Sequence, residues 1–334
     1  MLKEGPLKTR FWVHKIILAT IIGLFAAGFV SAEKKSLFLK EDLSLGVEDG
    51  DENLIFERIS SVRLDSSGHI YIFDWKKSSI VNFDPNGEFL ASIALKRGQG
   101  PGEVVNLGHM DVSASGRIFI HDINSRKVLV FNPEGHLLRE IWHRDFQGTS
   151  IACLGDDQVV ILGFKDDKIF HVIDLEGKLL SSFGDPFEVP SHLSKFKDMP
   201  LVKMPLRFDR SKTNSFYIIN PHKNEIYAYR DYNLERIIKG KSKWFEHEKA
   251  LITDKGHLAL IFPAVYVLEH QNRLYITFPP QRGQGSGELT IFENDKPVAS
   301  AEVIGIPHAV DSQGRLYVVE QENFPRVVRY IVQF

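Results

Sequence analysis

The residues best suited to chemistry lie in and beyond a glycine-rich stretch. Residues 95–112 read LKRGQGPGEVVNLGHMDV, with three glycines at alternate positions beginning at Gly98. A phosphate-binding loop needs a lysine and a hydroxyl residue directly after its last glycine, and then a helix. Glu103 and a valine stand there instead, followed by a strand-like apolar segment. The stretch therefore does not indicate a nucleotide site, and a connector with polar side chains is the better interpretation.

Two histidines have the chemistry of metal ligands. His109 and His308 each stand at the entry to a predicted strand, in LGHMDV and GIPHAV. A catalytic zinc takes three protein ligands, and no third histidine occupies a corresponding place. When the two segments are aligned on Gly116 and Gly314, His308 falls opposite Met110 and not opposite His109. The sequence thus contains part of a zinc site and no complete set of ligands.

Calcium and a nucleophilic mechanism are the other chemical alternatives. Asp111, Asp311 and Asn106 carry the oxygen ligands that calcium prefers, but an aspartate in a D-x-x-G sequence such as DSQG more often bonds its own backbone in a turn. No G-x-S-x-G motif is present, and Cys153 in SIACLG is predicted to be buried and unreactive. We expect no resident cofactor, with calcium or zinc as the alternative, and no enzyme activity.

The first 32 residues have the pattern of a secretory signal peptide. Basic residues precede an apolar run, Ile16–Val30, that ends in VSA before EKK, so cleavage is expected after Ala32. The run is shorter than the ~20 apolar residues of a membrane-spanning helix; an uncleaved anchor is the alternative. We expect residues 33–334 to form one exported domain, periplasmic or extracellular, that does not insert into the membrane after cleavage.

Charge and cysteine content exclude further classes. The chain has 41 basic and 43 acidic residues and a formal net charge of −2, without a basic stripe, so nucleic acid and anionic lipid are not expected partners. The single cysteine excludes an internal disulfide, so the domain must be stabilised by its hydrophobic core. A chain of this length is ample for such a core.

An internal repeat positions these residues. The segment VRLDSSGHIYIFDWKKSSIVNFDPNGEFLASI, residues 62–93, aligns without a gap with MDVSASGRIFIHDINSRKVLVFNPEGHLLREI, residues 110–141. A period of roughly 40 to 50 residues is typical of propellers and arrays. Within each copy, apolar and polar residues alternate over four short segments separated by turn sequences, which predicts four β-strands.

Four weaker copies follow, at residues 155–183, 214–238, 266–303 and 308–334. The last copy is one strand short, and residues 35–46 could supply the missing strand from the N-terminus. Such an exchange closes a ring and leaves no long unpaired edge. The predicted fold is an all-β, six-bladed β-propeller with four-stranded antiparallel blades, closed by an N-terminal strand that completes the last blade.

Two insertions interrupt the weaker copies. Residues 185–205 lie between the third and fourth copies, and residues 239–263 lie between the fourth and fifth. Both are predicted surface segments, where function often concentrates. Trp244 and Phe245 in the second insertion could anchor a partner, but we expect them to pack against the propeller at the channel mouth, because exposed aromatic side chains are unfavourable unless a partner covers them.

The repeated pattern G-x-I-Y-I-x-D … I-x-x-F-D-x-x-G-x-x-L, joined by RGQGPGEV, resembles the NHL-repeat and bacterial six-bladed β-propeller proteins, most clearly over residues 62–141. The resemblance implies the fold but no single function, because these proteins include scaffolds, ligand binders, lactonases and lyases. It also implies that the glycine-rich connector lies at the mouth of the central channel. In amidating lyases channel histidines hold zinc, and in lactonases acidic and amide side chains hold calcium.

The resulting function hypothesis is an exported binding or scaffold module, expected to be a monomer, that takes a peptide, glycan or protein partner on its channel-mouth face. The predicted contact residues are Arg97, Gln99, Glu103, His109 and His308. The alternative hypothesis is a metal-dependent lyase or lactonase that acts in the central channel.

Overall fold

The computed structural model describes residues 35–205, 208–210, 215–239, 249–252, 258–261, 266–278 and 286–333. The predicted signal peptide and the pair Trp244 and Phe245 lie outside these ranges. Two N-terminal strands, β1 (Lys35–Ser36) and β2 (Phe38–Leu45), precede the repeats. No helix in the described ranges has the length and apolar character needed to cross a membrane.

Six blades follow one another, and in each the strands of the repeat lie in chain order from the innermost strand outwards. The first three blades contain β3 (Ile59–Leu64), β4 (Ile70–Asp74), β5 (Ser79–Phe83), β6 (Phe89–Ala94); β7 (Leu107–Val112), β8 (Ile118–Asp122), β9 (Lys127–Phe131), β10 (Leu137–Trp142); and β11 (Gly148–Leu154), β12 (Gln158–Lys165), β13 (Lys168–Asp174), β14 (Leu179–Phe183). The fourth blade contains β15 (Asp209–Arg210), β16 (Ser215–Ile219), β17 (Glu225–Arg230) and β18 (Asn233–Lys239).

A separate hairpin, β19 (Lys249–Ile252) and β20 (Leu258–Ile261), lies between the fourth and fifth blades in the sequence. The last two blades contain β21 (Tyr266–His270), β22 (Arg273–Phe278), β23 (Gly287–Glu293), β24 (Lys296–Val303), and β25 (Ile306–Val310), β26 (Leu316–Glu320), β27 (Arg326–Gln333). The predicted six-bladed, all-β architecture is confirmed.

The ring closes through β2, as predicted. This strand runs antiparallel to β27 and becomes the outermost strand of the sixth blade, with Leu45 opposite Val327. Asp42 lies at a bulge in β2 and accepts two hydrogen bonds from the Arg329 guanidinium, at 2.8 and 3.1 Å. The closing strand is therefore held by a backbone ladder and by a two-pronged ion pair.

The hydrophobic core is divided among the interfaces between neighbouring blades. Within the described residues, six clusters of buried apolar side chains occur, one at each interface. Side chains alternate along a strand, so Tyr71 and Phe73 of β4 pack toward the second blade while Ile70 and Ile72 pack toward the sixth. Both faces of a blade are covered, which is why its middle strands are almost continuously apolar.

In the first two blades a repeated aspartate joins the incoming connector to its blade. Asp74, at the end of β4, accepts the backbone N–H groups of Glu57 and Arg58 at 2.7 and 3.2 Å. Forty-eight residues later, Asp122 accepts two N–H groups from the next connector in the same way. Burial alone would raise the pKa of Asp122, but these backbone hydrogen bonds lower it below its ordinary value. The two aspartates are thus structural.

The first insertion is packed against the propeller core. Its residues after β14 include two short 3₁₀ helices, Ser191–Phe196 and Pro200–Val202. Leu193 and Val202 are buried, and Phe187 belongs to the apolar cluster between the third and fourth blades. This segment therefore contributes buried apolar side chains to the interface between the third and fourth blades.

Candidate functional site

The glycine-rich connector joins β6 to β7 and is held largely by its own side chains. Arg97 donates a hydrogen bond to Ser78 Oγ at 2.8 Å and lies over the Trp75 ring, 5.9 Å from its centroid. The carboxylate of Glu103 accepts a hydrogen bond from the Gly100 N–H at 2.8 Å. Arg97 therefore contacts the first blade and Glu103 contacts the connector itself, while the side chains of Arg97 and Gln99 are both exposed.

The glycines make room for the Glu103 carboxylate. Gly98 has a φ of 149°, and a Cβ atom at this position would overlap with the Glu103 side chain. The N–H of Gly102 donates to Glu140 at 2.8 Å, and the buried amine of Lys127 donates to the same oxygen at 2.8 Å. The connector is thus anchored to the second blade by a charged network.

Replacing Gly98 by alanine is expected to lower the free energy of unfolding by about 2 kcal/mol, since backbone strain at such a position costs about 1–3 kcal/mol and Glu103 must also move. Gly50 is a matched control because its φ is 114° and no atom lies near its missing Cβ. Gly50→Ala should therefore lose only the unfolding free energy that backbone strain costs. Urea unfolding of both variants checks this; equal losses would show that Glu103 does not need the space beside Gly98.

His109 and His308 occupy similar places in their blades. Each lies at a β-bulge of its innermost strand, between Leu107 and Met110 in β7, and between Pro307 and Ala309 in β25. A bulge redirects side chains relative to the regular ladder. Both histidines are half-buried, and the ring of His308 stacks on that of Tyr266 at 5.8 Å. Because both histidines lie at a bulge, they occupy similar places in their blades, although a gap-free alignment of the two segments offsets them by one residue.

A cavity of about 110 Å³ lies in the central channel. All six blades contribute to it through their innermost strands or the residues beside them. Its polar lining consists of Arg63, Asp111, Asp209, Glu269 and His308. Of the five predicted contact residues, only His308 lines this cavity. Most of the other lining residues stand in the later half of their innermost strands, away from the end at which the glycine-rich connector enters.

The charged groups of the cavity also join neighbouring blades. Arg63 forms an ion pair with Asp111 at 3.2 Å and donates to the carbonyl oxygen of His308, which links the sixth, first and second blades. Asp111 accepts the N–H of Cys153 in the third blade at 2.9 Å, and Asp209 accepts that of Val267 at 3.0 Å. Arg63 and Asp111 are separated by one repeat of 48 residues, so the repeat alignment contained a signal for this pair.

Glu269 differs from the other acidic residues of the cavity. One of its carboxylate oxygens, Oε2, is buried and has no hydrogen-bond partner among the described residues. Burial, the charge of the Glu269 carboxylate and a side-chain hydrogen bond to it raise the pKa of Tyr217, so this carboxylate has one partner although its Oε2 atom makes no hydrogen bond. Three carboxylates, those of Asp111, Asp209 and Glu269, face a single guanidinium. Among the described lining residues carboxylates therefore outnumber guanidinium groups, and Glu269 has an acceptor oxygen without a hydrogen bond.

Two of the metal-ligand candidates, Asp111 and His308, line this cavity, and Asp311 lies in a turn. Among the residues the structure describes, no group of three or more His, Cys, Asp or Glu side chains is arranged to hold a metal ion. Asp311 accepts the N–H groups of Gln313 and Arg315 at 2.9 Å, as expected for the aspartate of a D-x-x-G turn. Cys153 is buried in β11, and its thiol lies 3.2 Å from Asp111.

Solved structures share this architecture. The chain is similar to a member of the DUF4221 family from Bacteroides vulgatus, with 12% identity, coverage of 90% of this chain and 99% of the other, and a TM-score of 0.60. A Bacteroides fragilis protein whose name assigns it to export has 14% identity, coverage of 92% and 98%, and a TM-score of 0.58. A streptogramin B lyase structure has 12% identity, coverage of 89% and 98%, and a TM-score of 0.50.

At these identities the likeness concerns the fold alone. No curated protein is similar enough to match the chain. The sequence does match a family described as a 6-bladed β-propeller, DUF5128, over residues 45–278. That range covers well over half of the chain and includes strands from five of the six blades. The chain therefore belongs to the DUF5128 family of six-bladed β-propellers.

Proposed function

We propose that the chain is an exported binding module that takes a peptide or protein partner and holds a cationic side chain of that partner in the channel cavity. The observation that carries this proposal is the buried Oε2 atom of Glu269, which makes no hydrogen bond within the described residues and belongs to a cavity lined by three carboxylates and one guanidinium. A buried acceptor without a hydrogen bond is costly, so a donor from a ligand would be favoured there.

The size of the cavity restricts what can enter. Pockets for small-molecule ligands usually have about 300–1,000 Å³, whereas this cavity has about 110 Å³. It suits one guanidinium or ammonium group, while the rest of the partner stays outside the channel. Hydrogen bonds between such a cation and a carboxylate are stronger than those between neutral groups. These considerations favour a peptide or protein partner over a neutral glycan at this site.

Short peptides test the proposal directly. Isothermal titration calorimetry would compare acetyl-Gly-Arg-Gly-amide and its lysine counterpart with acetyl-Gly-citrulline-Gly-amide, in which a neutral urea group replaces the guanidinium. We expect a cationic peptide to bind and the citrulline peptide to bind at least tenfold more weakly. Glu269→Gln should reduce the binding by a similar factor. Glu302→Gln changes an exposed carboxylate of the same blade and should have no effect.

Two results would contradict the proposal: no binding of either cationic peptide, or equal binding by the Glu269→Gln protein. A metal-dependent lyase or lactonase acting in the channel stays the alternative hypothesis. Stoichiometric zinc or calcium in protein purified without chelator, measured by inductively coupled plasma mass spectrometry, would favour it.

A further inference from the structure

A larger cleft lies at the boundary between the third and fourth blades. Its volume is about 510 Å³, within the range of small-ligand sites. Its walls are formed by β14 and the adjoining Gly184, by residues 185–188 of the first insertion, by β17 and by the turn between β17 and β18. It shares no lining residue with the channel cavity, so it is a separate candidate site.

One wall of the cleft is aromatic. Tyr227 and Tyr229 are two residues apart on β17 and therefore point to the same side of the strand. The ring of Phe187 packs edge-on against Tyr227 at 5.0 Å, and the ring of Phe183 lies 5.0 Å from Tyr232. Tyr227 and Tyr232 are only partly buried. The cleft thus offers partly exposed tyrosine rings that are held in place by the phenylalanine rings packed against them.

Tyr232 is held in a backbone conformation that is unfavourable for its type. It follows Asp231 in a two-residue hairpin turn. The φ value is 47° at Asp231 and 69° at Tyr232. The corresponding second positions in three other described two-residue turns are the short polar residues Asp167, Asn272 and Asp295. Asn, Asp and Gly are the usual residues in such turns. Backbone strain of this kind often marks a binding site.

The rest of the cleft is polar and has balanced charge. Hydroxyl and amide side chains come from Ser181, Asn220 and Asn233, while the hydroxyl of Ser182 is hydrogen-bonded to the ring of His171. The lining lysines are Lys168 and Lys223, and the lining acids are Asp185 and Glu188. Lys168 and Asp185 neutralise each other in an ion pair. The lining therefore has no excess charge to attract an ionic ligand.

We propose that this cleft binds a neutral oligosaccharide. A pyranose ring has a face of C–H groups that packs on an aromatic ring, and a rim of hydroxyl groups that exchange hydrogen bonds with amides and hydroxyls. The tyrosine wall and the serine and asparagine side chains supply these two kinds of contact. The site is independent of the cation-binding site in the channel, and either can exist without the other.

Neutral trisaccharides are the probes. Saturation-transfer NMR and calorimetry would be carried out with maltotriose, cellotriose, xylotriose and triacetylchitotriose. We expect at least one to bind the wild-type protein. Tyr232→Asn removes the ring and places a residue suited to positive φ, so it should weaken binding at least tenfold in a folded protein. Trp142→Asn alters an aromatic residue of the second blade that is 39% exposed and should leave binding unchanged.

A second, milder variant allows the proposal to be tested even if the first variant is less stable than the wild type. Tyr227→Phe keeps the ring but removes its hydroxyl group, and we expect it to weaken binding several-fold. Urea unfolding would verify that each variant is folded. The proposal would be overturned if none of the four trisaccharides bound, if Tyr232→Asn bound as the wild type does, or if trialanine displaced the sugar from the cleft.

Discussion

A chain that begins at Val47 and therefore lacks β2 is expected to lose most of its stability relative to a chain that begins at Ser36. The lost strand carries the buried Leu45 and forms a ladder with β27. Its removal also leaves Arg329, whose side chain is 9% exposed, without the carboxylate of Asp42. An unpaired buried charge costs about 3–5 kcal/mol, and each buried leucine contributes about 1.5–3 kcal/mol.

These contributions together approach the whole stability of a typical domain, about 5–15 kcal/mol. We therefore expect the shorter chain to lose its cooperative thermal transition, or to unfold at a far lower temperature, in circular dichroism. The peptide SLFLKEDLSLGV, residues 36–47, should restore the transition when added in excess. The same peptide with Asp42→Lys is the control and should not. An unchanged transition in the shorter chain would show that ring closure does not stabilise the propeller.

The fold could be predicted because the repeat consists of strand and turn patterns that depend on residues close together in the sequence. The first two blades contain alternating strands and glycine turns, and a constant offset of 48 residues relates them. The missing strand of the last blade pointed to β2, since a propeller with an open edge is unfavourable. The first strand of the fourth blade, Asp209–Arg210, is only two residues long, which is too short to show any alternation.

The candidate sites were less accessible to sequence reasoning. The pairing of Arg63 with Asp111 follows from the repeat, but the unpartnered oxygen of Glu269 depends on how two neighbouring blades meet. The ligand contact of Glu103 stays a prediction, and the sequence did not show that its carboxylate lies beside Gly98 and accepts the N–H of Gly100. The tyrosine cleft depends on how the first insertion folds against the fourth blade, and no local pattern encodes that. The likeness to NHL repeats stays a resemblance.

A buried pair of histidines lies at the interface between the second and third blades. The Nε2 atoms of His121 and His143 are 3.1 Å apart, so one ring donates its hydrogen to the other. Burial, and then the charges of His143 and His109, hold the pKa of His121 well below its ordinary value. Burial lowers the pKa of His143 to about 4, opposed by the Phe146 carbonyl and assisted by Arg126 and His171.

This pair predicts that the protein loses stability in weak acid. In the unfolded chain His143 binds a proton near pH 6.5, whereas in the folded chain it does so only near pH 4. Stability is therefore full above about pH 6.5 and falls through the window down to about pH 4. A depression of this size corresponds to about 3 kcal/mol from His143 alone. Carboxylates also titrate in the lower part of this window, so the test compares the wild type with variants that each lack one histidine.

The comparison uses His143→Gln, which keeps a hydrogen-bonding group beside His121 but cannot titrate. Urea unfolding between about pH 7 and pH 4.5 should show a smaller loss of free energy in this variant than in the wild type, by up to about 1.4 kcal/mol per pH unit, the slope for one proton. His136→Gln removes an exposed histidine of the same blade and should follow the wild type. If His143→Gln lost stability as steeply as the wild type, His143 would not be a buried neutral group, and the interface between these blades would have to be hydrated.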